Sequence, residues 1–584
     1  MFRIATPRGN KAIIHSCAAA AAALLVSGSY AAAQTQLLLD PGFEPGVAGA
    51  PNAAAGDVPM QSTPGGTPTG PWLGWNNWVS PYSGYYTQSI PAHSGTQSAK
   101  TFSGPNGGVY QYVNLTGGDA FTASAFFFNN SNDAMTTGQT DDVRMIFFDG
   151  PNGTGNNLGT VVSASTVTSA TPANTWTQLQ VQAAAPLTAQ SVQWMAFFNN
   201  PLHTGGAMYL DDGSLLDTSW NGGGASNNWS DNNNWGGVAP GQYAPVVFSG
   251  NTRLNNVNDS TPGTPYYGIA FTPTAGSFTV SGNQANLAFD VVNNSANAQT
   301  IAMNLGLQQD TNFNTAAGDM TISGVIDGAF AVNKTGSHTL VLSGANTYGG
   351  ATNVSAGTLV VGAGGSLPAT TTVNITGGAV QLGASTGGTT IAGLTISGSG
   401  VLDVNNNHLI INYGGGADPI ATIQQLLVTG RNGGSWNGAG GITSSAVAGN
   451  PGYALGYADS ADPGNPAGLS SGTLEIAYTL LGDVDLNHIV NGVDFGILAA
   501  NFNKSVTSWD QGDFNYDNIV NGIDFGALAA NFNKGAASAS DIAALDSFAA
   551  ANGLLADVPE PASVALVLLG AASLLSRRRR PSMR

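Results

Sequence analysis

Two near-copies of one 23-residue segment constrain this chain more than anything else in it. They occupy residues 482–504 (GDVDLNHIVNGVDFGILAANFNK) and 512–534 (GDFNYDNIVNGIDFGALAANFNK), with 16 of 23 positions identical. Oxygen-bearing residues fall at positions 1, 3, 5, 9 and 12 of a loop in both copies. They are Asp483, Asp485, Asn487, Asn491 and Asp494, then Asp513, Asn515, Asp517, Asn521 and Asp524. Two of the changes swap one oxygen ligand for another: Asp485 becomes Asn515, and Asn487 becomes Asp517.

That spacing is the one an EF-hand calcium loop uses. Calcium is a hard cation that takes about six to eight oxygens at roughly 2.3–2.6 Å. The main-chain carbonyls of Ile489 and Ile519 stand at position 7 to complete each set, with Asn491 and Asn521 acting through water. Residues 495–502 and 525–532 then read as short helices with Phe, Leu and Ala on one face. The alternative is an Asx-rich loop pair without metal. The pattern resembles the duplicated repeat of type I dockerins, which implies two calcium ions and a cohesin partner. It departs from that family twice. Position 6, usually Gly, is His488 and Asn518, two residue types that tolerate positive φ. Positions 10 and 11, polar where cellulosomal dockerins select a cohesin, are Gly492 and Val493, then Gly522 and Ile523. Calcium binding therefore carries over better than a cohesin-like partner.

Several domains are expected in 584 residues. With 80 Gly and 8% charged residues, the composition suits β structure with many tight turns. The single cysteine, Cys17, lies in a leader, so no disulfide is expected in the exported form. That leader has Arg3, Arg8 and Lys11, an apolar run over 18–26, and Ala31, Ala32 and Ala33 before Gln34. It reads as a secretory signal peptide over 1–33, cut by signal peptidase after Ala33, with an N-terminal membrane anchor as the alternative.

At the other end, Pro559, Glu560 and Pro561 precede fifteen mostly apolar residues, 562–576, and then Arg577, Arg578, Arg579 and Arg580. The order resembles the PEP-CTERM sorting signal, which implies processing by an exosortase and delivery to the envelope surface or extracellular matrix. The apolar stretch is about 22 Å long as a helix, short for a permanent span, so a transient anchor at 558–584 is expected, with an ordinary C-terminal anchor as the alternative. Without residues 1–33 and 577–584 the chain keeps 7 basic against 33 acidic residues, a net charge of −26. That excludes nucleic acid as a natural partner.

Residues 34–217 alternate with period 2 between Gly, Asn and Pro turns, in stretches such as GGVYQYVNLTGG, FTASAFFFNN and SVQWMAFFNN. They predict the antiparallel strands of a sandwich. The order of pieces resembles the jelly-roll carbohydrate-binding modules, which implies a polysaccharide ligand. It also implies a structural calcium joining the first and last strands, at Glu44, Asp211 and Asp212. The other reading is that the two Asp simply end a strand. The stretch PWLGWNNWVSPYSGYY gathers Trp72, Trp75, Trp78, Tyr82, Tyr85 and Tyr86. Flat aromatics stack on the C–H faces of sugars, so these rings are candidates for a glycan cleft. Core packing is the competing role for each one.

Residues 218–411 carry Gly-punctuated short strands with almost no charge. Residues 334–367, KTGSHTLVLSGANTYGGATNVSAGTLVVGAGGSL, resemble the autotransporter-associated β-strand repeat, which implies a parallel β-helix. Between residues 301 and 400 the ionisable groups Asp310, Asp319, Asp327, Lys334 and His338 read as a scattered, solvated set rather than a catalytic cluster. Residues 412–480 read as a connector, with a short helix over 420–428 begun by Asp418 and Pro419. Residues 481–535 hold the repeat pair, and 540–556, within a 536–557 linker, read as an exposed Ala-rich helix.

The expected fold is thus mainly β: a jelly-roll sandwich, a parallel β-helix, a small α-helical calcium module and a C-terminal hydrophobic helix. No catalytic residue is expected. The first functional reading is a surface or matrix protein that binds calcium and polysaccharide. A secreted polysaccharide-degrading enzyme and a purely structural envelope protein are the alternatives.

Overall fold

The computed structural model describes residues 36–39, 41–43, 58–61, 68–75, 92–95, 98–102, 106–202, 204–506, 508–532 and 538–558. The chain divides into two compact units, 1–340 and 341–584.

The first unit opens with an antiparallel sandwich. One sheet runs Val58–Gln61, Pro68–Trp75, Asn106–Asn114, Ser191–Asn199, Thr140–Phe148 and Asn157–Val162, with Val167–Thr168 also on Thr140–Phe148. The other runs Ala99–Phe102, Ala207–Asp217, Ala120–Phe128 and Trp176–Ala184. Alternation sends Val109, Val143, Met145, Val192 and Trp194 inward to meet Ala123, Phe127, Leu179 and Leu210. The start and end of this domain are joined, with Gln36 paired to Leu216 and the Leu37 N–H donating to Leu215 O at 3.0 Å.

Trp72 corrects one expectation. It is fully buried, stacked on Phe43 with ring centres 4.6 Å apart and edge-on to Trp194 at 5.2 Å. Its strand gives the inward side to Trp72 and the outward side to Leu73, so this ring fills the core and offers nothing to a glycan. A bulge between Asp211 and Ser214 leaves Asp212 at φ 47°, and Gly213 passes so close that an added Cβ would lie 3.1 Å from Trp194 and 3.3 Å from Trp72.

A parallel solenoid follows, of about 8 turns in all. In the first unit it is three-sided. Gly268–Phe271, Val291–Asn293, Thr311–Thr315 and Val332–Thr335 stack in register on one side, and Thr279–Gly282, Gln299–Ile301 and Met320–Ile322 on the second. Thr264–Tyr266, Ala285–Leu287, Leu305–Leu307 and Ile326–Gly328 form the third. One inward column reads Ile269, Val291, Phe313, Lys334. Lys334 is therefore not solvated, as expected of it, but fully buried. Its ammonium donates to Thr335 O at 2.9 Å and Gly336 O at 2.8 Å, which satisfies the charge at a solenoid corner.

In the second unit, Thr352–Val354, Thr372–Ile375 and Gly393–Ile396 continue as one parallel sheet, and Thr358–Val361, Ala379–Leu382, Val401–Asp403 and Gly441–Thr443 as another. The stretch expected as a connector is folded. Helix α1 (Ile420–Arg431) buries Ile423 and Leu427, and Thr473–Leu480 pairs antiparallel with both His408–Asn412 and Tyr453–Asp459. α1 starts after Asp418, whose Oδ1 accepts from the Ile420 N–H at 2.8 Å, and runs three residues past the expected end.

Three more helices complete the four among the described residues: α2 (Gly492–Asn501), α3 (Gly522–Asn531) and α4 (Ala539–Asn552). α4 is not the free exposed helix expected from its Ala content. Leu545 and Ala549 are buried, and the Phe548 ring meets Phe495 at 5.4 Å, Phe502 at 5.0 Å and Phe525 at 5.7 Å, so it packs on both repeats.

Candidate functional site

The two repeats fold into loops of one design. In the first, Asp483 Oδ1 accepts from the Asn487 N–H at 3.1 Å and Oδ2 from the His488 N–H at 2.9 Å. Asp494 closes the loop: Oδ1 accepts from Val484 N–H and Oδ2 from Asn491 N–H, both at 2.8 Å. In the second, Asp513 accepts from Asp517 and Asn518 N–H at 3.2 and 2.9 Å, and Asp524 from Phe514 and Asn521 N–H at 2.9 and 3.0 Å. Asn491 and Asn521 cap α2 and α3 in matching capping boxes, each accepting from the N–H two residues on. The helices begin three residues before Phe495 and Phe525 because these caps start them there.

The backbone also repeats. Leu486 and Tyr516 lie at φ 58° and 63°, and His488 and Asn518 at 69° and 67°. The sharp turn that usually takes Gly is thus made by His and Asn in the left-handed region. At positions 3 and 5 the side chains bond each other, Asn487 Nδ2 to Asp485 Oδ2 at 2.9 Å and Asn515 Nδ2 to Asp517 Oδ2 at 2.8 Å. The N–H groups of Ile489 and Ile519 are held by Asn487 and Asp517, at 2.8 and 3.0 Å.

One oxygen each from Asp483, Asp485 and Asp494 lies within 4.8 Å of the others. Asp483, Asp494 and Asp524 are fully buried and Asp513 nearly so. Burial, joined by the charges of Asp494 and Asp485, pushes the Asp483 carboxyl up to about 7. Burial likewise raises Asp494 and Asp524 to about 6, and raises Asp513. Burial, with like charges close by, disfavours the ionised form of these carboxyls.

Sequence reasoning missed the supports of these loops. Thr479 donates its hydroxyl to Asp483 Oδ2. Trp509, fully buried between the repeats, donates its indole N–H to Asp483 O at 2.7 Å. Asn531 bonds Leu481 O at 2.7 Å. The lone Trp between two repeats was the available signal for one of them. Val493 and Ile523 are 58% and 65% exposed, so positions 11 present small apolar patches.

In the sandwich, Asp211 and Asp212 turn to residues 92–95. Asp211 Oδ2 accepts from His93 and Ser94 N–H at 2.7 and 3.2 Å, and Oδ1 from Asp212 N–H at 2.7 Å. Asp212 holds His93 Nδ1 and Ser94 Oγ, each at 2.6 Å. Burial raises the Asp211 carboxyl to about 6 against these bonds. These carboxylates work as clamps for a segment whose His93 ring stacks on Phe126 at 3.6 Å. Glu44, Trp78, Tyr82, Tyr85 and Tyr86, the Trp75 side chain, Ala33 and residues 559–584 lie outside the described residues.

The face of the larger sheet turned away from the core carries a polar-aromatic row that sequence reasoning missed. Gln193 sits opposite Tyr112 and donates to its hydroxyl at 3.2 Å. Arg144 lies over the Phe197 ring at 3.6 Å and pairs with Asp142 at 2.5 and 2.7 Å. The alternation in VYQYVN and SVQWMAFF was its signal, since every second residue there is turned from the core.

Among the described residues no helix is long and apolar enough to cross a membrane. The chain matches the passenger-associated-transport-repeat family over residues 332–361 and the PEP-CTERM protein-sorting motif over 557–580. No curated protein matches it. Among solved structures, TmCBM61 in complex with β-1,4-galactotriose is 13% identical, with 31% of this chain and 98% of that one covered at a TM-score of 0.20. A family 16 carbohydrate-binding module is 18% identical over 24% and 90% of the chains at 0.18. The CBM22-1 xylan-binding domain from Paenibacillus barcinonensis Xyn10C is 16% identical over 23% and 79% at 0.17. Scores this low carry no argument about ligand. The sorting motif implies an exported protein delivered through an exosortase to the cell envelope or surface.

Proposed function

We propose that this exported protein is a non-catalytic adhesion or matrix component. Its C-terminal repeat pair folds around two calcium ions, and its N-terminal sandwich holds polysaccharide. One observation carries the calcium reading: oxygens of Asp483, Asp485 and Asp494 lie within 4.8 Å of one another. Ligands at roughly 2.3–2.6 Å from a shared ion are separated by no more than about 5 Å, so the spacing fits calcium. Asp483, Asp485, Asn487, Ile489, Asn491 and Asp494 would hold one ion, and Asp513, Asn515, Asp517, Ile519, Asn521 and Asp524 the other. Bound calcium supplies positive charge among buried carboxylates and ties each loop to its helix.

The polysaccharide reading is supported on this face by Tyr112 and Arg144, which are half-buried, while Gln193, Phe197 and Asp142 beside them are buried and hold those two side chains in place. The module resembles a dockerin in its loops, while exposed Val493 and Ile523 stand where cohesin-selecting polar residues belong.

Two measurements test the proposal. The full exported chain is titrated with calcium by calorimetry, where binding by the loops is expected and no heat with either loop would overturn the metal reading. The same chain is passed over insoluble polysaccharides. Retention on at least one, weakened in a Tyr112→Ala variant, is expected. No retention on any, or hydrolysis of one, would overturn the glycan reading or its non-catalytic form.

A further inference from the structure

One corner of the solenoid carries rings that its core does not use. Ile269 and Val291 are in register, and Tyr267 and Phe289 each stand two residues before them. Their rings stack with centres 4.7 Å apart and planes 10° from parallel, so they follow the rise from one turn to the next. Gln309 and Phe330 hold the same place before the paired Thr311 and Val332. Val291 pairs with Phe313 and Phe313 with Lys334, which puts Phe330 on the second turn after Phe289. At the usual strand spacing that is about 9–10 Å along the solenoid. Tyr267 is 39% exposed and Phe330 37%, and Phe289 is half-buried.

An open cleft of about 470 Å³ lies between Phe289 and Phe330, and Asp290, Gln309, Asp310 and Asn312 complete its lining. Its polar groups are fixed. The buried Asp290 carboxylate accepts from the Asn312 N–H and from Asn312 Nδ2, each at 3.0 Å. Asp310 is exposed, with its Oδ1 on the Ala331 N–H at 2.9 Å. The Thr311 hydroxyl donates to Gln309 O at 3.0 Å and steadies that residue's backbone. Rings that alternate with a carboxylate and two amides combine a stacking platform with groups that read hydroxyls. Because neighbouring turns already hold these groups in place, little ordering is left for a ligand to impose.

We propose that this cleft is a second glycan site, which takes a neutral polysaccharide with a sugar ring seated between Phe289 and Phe330. The proposal rests on the reading of the protein as a polysaccharide binder, and it shares no residue with the sandwich face. Charge selects the class of glycan. Two of the six lining residues are aspartates and none is basic, so uronate or sulfated chains meet repulsion where neutral chains meet hydrogen-bond acceptors.

Affinity electrophoresis of the full exported chain tests this, in gels containing xyloglucan, galactomannan or dextran as neutral probes and polygalacturonate as the acidic one. A neutral probe is expected to retard the chain, and Phe330→Ala and Gln309→Ala are each expected to weaken that binding roughly five- to tenfold. Both side chains lie at the surface of a corner, and unchanged melting temperatures would show that both variants fold. Tyr112→Ala separates the two sites. Retardation that survives Tyr112→Ala and is lost when Phe330→Ala is added belongs to the solenoid and stands even if the sandwich holds no glycan. Retardation that Tyr112→Ala abolishes and that neither Phe330→Ala nor Gln309→Ala alters would overturn this proposal and leave the sandwich reading intact. Equal retardation by polygalacturonate would overturn the assignment to a neutral glycan.

Discussion

The indole N–H of Trp509 donates to the main-chain oxygen of Asp483 at 2.7 Å, so the segment between the repeats is tied to the first residue of the first loop. Trp509 is fully buried and edge-on to Phe514 at 5.0 Å. Trp509→Phe keeps most of the packing but leaves a buried carbonyl unpaired, a loss of about 1–3 kcal/mol. Trp509→Ala adds a cavity and loses about 3–5 kcal/mol. Urea unfolding is expected to show both losses in EDTA as well as in calcium, because the bond needs no ion.

Asp494 and Asp524 each serve twice, as the last ligand position of a loop and as the acidic half of a capping box. Asp494→Ala or Asp524→Ala is expected to remove one calcium ion in a calorimetric titration. In EDTA the same variants still lose about 1 kcal/mol, the usual contribution of a cap. A loss confined to calcium buffer would show that the caps contribute nothing.

Burial pulls the Lys334 ammonium down to about 8, with the charge of Asp319 opposing it. Between pH 8 and the ordinary lysine value of 10.5, the unfolded chain holds a proton that the folded solenoid has released. Stability therefore rises with pH across that window, by at most about 3 kcal/mol. Chemical unfolding at pH 8 and pH 10.5 checks this, and Lys334→Met is expected to abolish the slope.

Gly213 leaves no room beside two indoles, with an added Cβ 3.1 Å from Trp194 and 3.3 Å from Trp72. Gly213→Val forces those rings apart at a cost of about 1–3 kcal/mol. Tryptophan fluorescence on thermal unfolding is expected to show an earlier transition in the sandwich.

Phe548 touches aromatic rings from both repeats, Phe495 and Phe525. Phe548→Ala is expected to cost about 2 kcal/mol, the value of one largely buried apolar side chain. Removing it is expected to loosen both loops together, seen as parallel loss of hydrogen-exchange protection at Asn487 and Asp517. Loss at one loop alone would place Phe548 with a single repeat.

The repeat loops were legible because their spacing is local: positions 1 to 12 are bound to one another by bonds such as Val484 N–H to Asp494. The sandwich strands were legible for a similar reason, since period 2 survives in any strand. Alternation names two faces and does not say which is covered, so Trp72 was open to either role until Phe43 and Trp194 enclosed it. Lys334 misled because a charge in a low-charge stretch reads as solvated. Its inward position is set by Phe313, one solenoid turn earlier. Residues 412–480 hid their strands for the same reason. Gly441–Thr443 pairs with Val401–Asp403, forty residues away, and turn-rich composition carries no trace of such a partner.

The exchange at loop positions 3 and 5 has a further meaning. Asp485 and Asn487 in one copy answer to Asn515 and Asp517 in the other, and in each copy the pair is joined through its own amide. Every loop therefore holds three carboxylates: Asp483, Asp485 and Asp494, or Asp513, Asp517 and Asp524. The two copies have diverged in which atom carries the third negative charge while keeping the tally at −3. A divalent ion leaves both at −1, yet the loops differ in geometry, because carboxylate oxygens of Asp483, Asp485 and Asp494 lie within 4.8 Å of one another in the first. Thr479, which donates to Asp483, adds a support on the first loop's side.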